Sequence, residues 1–262
     1  MPILSNDFRE RPIPEQSTGN TAANYHAVEI DLGGLANREP LIDVREYGIA
    51  CKSVYSRPYA PYYRAFGSAL ETVYLRDTVA QKLIQANNIL VDYGVEVLAL
   101  DGFRPVKLQQ ELWAHFMDKA REQLPEATRE DMERFAVQFC SNPSGFDPLD
   151  YKTWPVHASG GAIDLTLRSL YDKQEAFMGS IFDDADAISA TTYFESFELT
   201  SQSGLEARRN RRLLYHAMIA AGFYNYPYEW WHFDFGSQMW VMNGNLTTKA
   251  LYGLAALPAA GP

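Results

Sequence analysis

Basic residues are scarce: 23 Lys and Arg stand against 33 Asp and Glu, a formal net charge of −10. A chain this acidic lacks the positive face that a phosphate backbone requires, which excludes nucleic acid as a partner. Cysteine is nearly absent. Cys51 and Cys140 are the two present; they make neither a disulfide framework nor a metal-type pair, and both read as unpaired thiols. Long apolar runs are missing too. Nothing approaches the ~18 consecutive apolar residues that cross a bilayer. The opening stretch MPILSNDFRERPIPEQS has no apolar run behind a basic end, so no signal peptide is expected. The default is a cytoplasmic protein that makes no membrane contact. Internal repeats and low-complexity tracts are also lacking.

What is there is an ordinary globular composition, 47% hydrophobic and 21% charged over 262 residues, enough to bury a core without staples. We expect one domain over 1–262. Within it, 1–40 is rich in Pro, Asn and Gly and reads as an extended N-terminal arm, and 236–262 reads as a C-terminal extension.

Leu70, Val73, Leu75, Val79, Leu83, Ile84 and Leu90 recur at helical spacing and predict a helix over 69–93, stopped by Gly94. Residues 95–100 alternate and start β-branched, which predicts a strand. Pro105 ends it, because proline cannot continue a ladder. Leu108, Leu112, Trp113, Phe116 and Met117 restore a helix to about Leu124. An irregular excursion over 125–155 surrounds a short helix at 132–139. A second strand follows at 161–167, then mixed loop over 170–204, a helix over 205–221 and an aromatic strand over 228–235. This order predicts an α+β fold with helices packed on a small sheet.

The five histidines are His26, His115, His157, His216 and His232. His115 and His216 lie inside amphipathic helices and His26 in the arm; these three read as ordinary polar residues. His157 differs because glycines and then Asp164 follow it, in the run HASGGAID. Glycines let the loop fold tightly enough for its histidine to converge with a residue of the next strand. In that strand Ala162, Asp164 and Thr166 share one face and Ile163, Leu165 and Leu167 the other. An acid amid apolar residues is costly to bury unless it is hydrogen-bonded or metal-bound, and spacing alone leaves both readings open for Asp164.

Glu229 and His232 are three apart and would point to opposite faces of a regular strand. A kink after Pro227 would hang Glu229 over a metal instead. Two histidines and one carboxylate then hold zinc with an open position for water, whose pKa falls to about 7, and Glu229 can carry the proton. The alternative is that Glu229 is a surface acid. Arg104, between a strand and a proline-initiated helix, either steadies an oxyanion or simply pairs with Asp101.

Taken together, these segments resemble the D-alanyl-D-alanine dipeptidase family of zinc peptidases. The carrying motifs are Asp101-Gly102-Phe103-Arg104-Pro105, the run from His157 to Asp164, and Glu229-Trp230-Trp231-His232. Met178-Gly179-Ser180-Ile181-Phe182-Asp183, Asn210-Arg211-Arg212-Leu213-Leu214 and Tyr226-Pro227-Tyr228 add to them, and the resemblance spans roughly 40–235. It implies helices on a small, mostly antiparallel sheet, the zinc D,D-peptidase and hedgehog-like fold. It further implies one Zn²⁺ on His157, Asp164 and His232, Glu229 as general base and Arg104 as oxyanion stabiliser. Asp183 matches the acid that holds the free ammonium of a small dipeptide substrate. An enclosed acid of that kind rejects a blocked N-terminus.

Two positions depart from the family pattern. A serine commonly stands two places before the first histidine and an arginine often two places after it; here they are Pro155 and Ser159. The departure bears on which dipeptide fits rather than on the metal. Two other functions remain open: a carboxypeptidase or endopeptidase cutting longer peptidoglycan stems, and a non-catalytic zinc module. Glu229 and Arg104 speak against the second.

Overall fold

A computed structural model describes residues 7–16, 24–137, 140–184, 186–196 and 198–257. Its centre is a five-stranded sheet in the order β2 (Ala50–Cys51), β4 (Val95–Asp101), β5 (Ala162–Ser169), β7 (His232–Asp234) and β6 (Tyr224–Asn225). β2 pairs parallel with β4, and the remaining neighbours are antiparallel. A separate ladder joins β1 (Leu41–Asp43) to β3 (Tyr74–Arg76). The helices are α1 (Asp77–Leu90), α2 (Val106–Gln123), α3 (Arg129–Ala136), α4 (Gln202–Ala220) and α5 (Gln238–Asn243). The fold is therefore α+β on a mostly antiparallel sheet, as the sequence predicts. Among the described residues no helix is long and apolar enough to cross a membrane.

The core forms where α1 and α4 lie against one face of the sheet. Val79, Leu83 and Leu90 of α1 and Leu213, Leu214 and Met218 of α4 are buried with Val97, Ala99, Ile163, Leu165 and Leu167. In β5 the apolar residues Ile163, Leu165 and Leu167 thus face the helices and Asp164 faces the other way, whereas β4 also buries Leu98 and Leu100 on that second face. The described part of the excursion over 125–155 carries α3, whose start is fixed by a reciprocal cap between Thr128 and Asp131. The end of the short helix expected at 132–139 lies outside the described residues.

Two elements differ from their expected form. The helix expected over 69–93 begins only at Asp77, because Tyr74–Arg76 pairs with Leu41–Asp43. Val73 and Leu75 are buried at period two, and Leu75 and Val79, four apart, make that strand look like the first turn of the helix. The aromatic strand expected over 228–235 shrinks to His232–Asp234. Before it the chain turns on itself: the backbone N–H of Glu229 donates to Tyr226 O at 3.1 Å and that of His232 to Glu229 O at 3.3 Å. Trp230 and Trp231 are core residues of this turn, so their apolarity reflects burial rather than a strand.

Candidate metal centre

His157 sits in a short 3₁₀ turn, Val156–Ser159, that ends on Gly160 at φ +72°. A side chain at Gly160 would also meet Leu41 Cδ2 at 2.5 Å, so glycine alone allows the turn to close onto β5. Ser159 belongs to this turn and not to the recess beyond it. Its hydroxyl donates to Val156 O at 2.6 Å and accepts from the Gly161 N–H at 3.1 Å. Asp164 projects from β5 opposite Asp101, after a register shift between Ala99 and Asp101 in β4. Such a bulge re-aims the side chains that follow it. His232 opens β7 and pairs across the sheet with Asp164.

These three side chains converge. One ligand atom from each of His157, Asp164 and His232 lies within 4.8 Å of the others, and all three residues are buried. Asp164 Oδ1 is 2.9 Å from His232 Nδ1, and Oδ2 is 3.5 Å from His157 Nε2. The tautomers follow from the outer partners. His157 Nδ1 is 2.9 Å from Gly102 O, and a carbonyl only accepts, so the proton is on Nδ1 and the Nε2 lone pair faces Asp164. His232 Nε2 is 2.8 Å from Asp234 Oδ2. Asp234 is fully buried and its Oδ1 accepts from the Ser237 hydroxyl at 2.6 Å. Both rings are thus oriented from behind, as metal-ligating histidines are. Gly102 reaches the imidazole because a side chain there would strike Tyr74 O at 2.6 Å.

The other predicted residues line the same recess: Arg104, Asp183 and Glu229 stand around it with the three above. The side chain of Glu229 is partly exposed and its carboxylate lies 3.8 Å from His232 Nδ1, so the turn hangs it beside the triad. Arg104 is buried and pinned. Its guanidinium donates to Asp101 Oδ2 at 2.8 Å, Gln109 Oε1 at 3.0 Å, the Tyr55 hydroxyl at 3.1 Å and Asp164 Oδ2 at 3.4 Å. The pairing with Asp101 and the exposure to the recess therefore coexist. Asp183 accepts at Oδ2 from the hydroxyls of Tyr55 (2.9 Å) and Tyr62 (2.7 Å). It has φ +57°, a left-handed conformation that a non-glycine residue keeps only when its surroundings over-determine it.

Electrostatically the recess is crowded with acid. Burial pushes the Glu229 carboxyl up to about 8 although His232 opposes it, and burial with Asp164 nearby takes Asp183 to about 7. Burial takes Asp101 to about 6 against the pull of Arg104. Burial also works against the Asp164 carboxylate, but His157 and His232 outweigh it and hold it below its usual range. His157 is driven down to about 3 by burial and then by Arg104, which keeps its imidazole neutral. For His232 burial is overcome by Asp234 and Asp164, which hold it well above the usual value. Asp101 and Asp164 bond to the one guanidinium, and Asp183 and Glu229 line the same recess, four acids against one arginine. A divalent cation held by two imidazoles and a carboxylate suits that surplus and that donor set.

Sequence reasoning passed over Asp234, Tyr55, Tyr62 and Gln109. For Asp234 a signal existed, since it stands two residues after His232 on the same strand face. Cys140 also lines the recess, but burial raises its thiol to about 12, which makes it unreactive. Cys51 and Cys140 are both free. His115 packs on Tyr62, His216 Nε2 meets Arg11 O at 3.0 Å and His26 lies on Tyr25; none of the three lines the recess.

A buried His–Asp–His triad with the geometry to hold a cation, with a carboxylate and a fixed arginine around it, is the equipment of a metal-dependent hydrolase. A family model described as D-ala-D-ala dipeptidase matches residues 67–249 of the chain. A D-alanyl-D-alanine dipeptidase of Synechocystis sp. is 32% identical over 221 residues, covering 79% of this chain and 86% of that protein. One from Enterococcus faecium is 27% identical over 162 residues, 59% of this chain and 69% of that one. The chain belongs to the D-alanyl-D-alanine dipeptidase family of metallopeptidases. Among solved structures, the vancomycin-resistance D,D-pentapeptidase VanY in complex with Zn(II) aligns at TM-score 0.39 and 12% identity, over 72% of this chain and 89% of that one. The LD-carboxypeptidase LdcB aligns at TM-score 0.35 and 17% identity, over 81% and 77%.

Proposed function

We propose that the protein is a zinc dipeptidase acting on D-Ala-D-Ala or a closely related dipeptide, with the metal on His157 Nε2, Asp164 and His232 Nδ1. The observation that carries this reading is the convergence of those three donors within 4.8 Å, in a recess that Glu229 and Asp183 also line. When bound, zinc polarises the scissile carbonyl and lowers the pKa of water at its open position to about 7. Glu229 takes the proton of the attacking water and passes it to the leaving amine. Arg104, held by Asp101, Gln109 and Tyr55, presents a positive charge that needs no reorganisation as the oxyanion develops. Asp183 binds the free ammonium of the substrate. Both tyrosine hydroxyls occupy its Oδ2, which among the described residues leaves Oδ1 for that contact. An acid in this place favours a substrate with a free amine over a longer peptide stem, because a blocked amine leaves the buried carboxylate with its tyrosine bonds but no countercharge.

The test is hydrolysis of D-Ala-D-Ala by the zinc-loaded protein, read as free D-Ala, alongside Glu229→Gln. We expect turnover by the parent and a loss on the order of 10²–10⁴ in Glu229→Gln with its zinc retained. Normal turnover in Glu229→Gln would contradict the assigned proton carrier.

A further inference from the structure

Asp183 and Glu229 are both carried by segments without regular structure, and both segments rest on one buried side chain. Arg211 of α4 is 2% exposed. Its Nε donates to Met178 O at 2.7 Å, Nη1 to Ala190 O at 2.8 Å and Nη2 to Ile188 O at 2.8 Å. Those carbonyls flank Asp183 on either side in the chain. The same guanidinium lies 5.7 Å from the ring of Trp230, the residue after Glu229, and 4.8 Å from Phe194. Direct bonds join the two segments as well. Trp230 Nε1 donates to Ser180 Oγ at 2.9 Å, the Trp230 N–H to Ser189 O at 3.0 Å and the Thr191 N–H to Pro227 O at 2.9 Å. Its neighbour Asn210 donates to Phe177 O at 3.0 Å.

A guanidinium is expensive to bury without an acid. Among the described residues Arg211 bonds to neutral carbonyls, and it does not line the recess. Three donors fixed in one plane are what a lysine cannot supply. The left-handed conformation of Asp183 needs a rigid surround, and these bonds provide it.

We propose that Arg211 is a positioning residue: from behind the recess it locks the Asp183 turn against the Glu229 turn and so fixes the spacing between amine recognition and proton transfer. This rests on the roles given above to Asp183 and Glu229. A dipeptide has its ammonium a fixed few bonds from its scissile carbonyl, so a loosened spacing penalises the free dipeptide, whereas a substrate without that amine does not use Asp183.

The experiment uses the full, zinc-loaded chain and its variants Arg211→Lys, Ser180→Ala and Asp183→Asn. For each, kcat and KM are measured on D-Ala-D-Ala and on N-acetyl-D-Ala-D-Ala, with zinc per chain. We expect Arg211→Lys to lower the free-to-acetylated ratio of kcat/KM on the order of 10- to 100-fold, as misplacement by about 1 Å does, with zinc per chain unchanged. Ser180→Ala, which removes one tie between the same segments, moves the ratio the same way by a smaller factor, and is the reporter should Arg211→Lys fail to fold. An unchanged ratio, or an equal loss on both substrates, in the folded variants while Asp183→Asn collapses the ratio overturns the inference and leaves the role of Asp183 standing. An unchanged ratio in Asp183→Asn overturns the role of Asp183 itself, and the inference with it.

Discussion

The imidazole of His232 lies between two carboxylates, with Nδ1 2.9 Å from Asp164 Oδ1 and Nε2 2.8 Å from Asp234 Oδ2. One of these acids shares the converging triad with the ring, and the other has no access to it. Asp234 is fully buried and bonded to Ser237, so it fixes the ring and, on the proposed zinc reading, raises its basicity toward the metal.

Replacing Asp234 by alanine therefore weakens zinc binding on the order of 10- to 100-fold. Titration against a chromophoric chelator measures this directly, and an unaltered dissociation constant would show that Asp234 does not support the ligand.

Arg104 makes a different kind of prediction, because it is tied to Asp101, Gln109, Tyr55 and Asp164 at once. Arg104→Lys keeps the charge but cannot hold that geometry. We expect kcat to fall by about 10²–10³ with zinc content unchanged. A variant that instead loses its metal and keeps its kcat when reloaded would mark Arg104 as structural only.

Stability depends on the face of the sheet away from the metal centre. Leu83 is fully buried between α1 and the strands, and Leu83→Ala removes packing worth about 2–5 kcal/mol. Denaturant titration should show that loss, while the folded variant still binds one zinc with normal affinity. A matching loss of zinc affinity would mean that the two faces are coupled.

How much of this was readable beforehand varied with the physics of each segment. The run from His157 to Asp164 was legible because its glycines and its lone acid each break a pattern that an ordinary strand would keep. Glu229 was legible as well: spacing showed that it could not share a regular strand face with His232, and the chain does turn there. β3 was not legible, since Val73 and Leu75 fall into step with the helix that begins at Asp77. Tyr55 and Tyr62 were missed because they lie in an aperiodic, proline-rich stretch and reach Asp183 only through tertiary packing. Ser159 drew notice as a departure from the family pattern, yet its hydroxyl is spent on its own turn.

The central claim is that one zinc ion is held by three residues far apart in the chain. Diffraction from crystals of the zinc-loaded protein, collected on both sides of the zinc absorption edge, locates the ion without reference to activity. The account predicts a single anomalous peak per chain within bonding distance of His157 Nε2, Asp164 and His232 Nδ1, with Glu229 beside it and not bound. A peak elsewhere, or none among these side chains in protein shown to contain zinc, would contradict it.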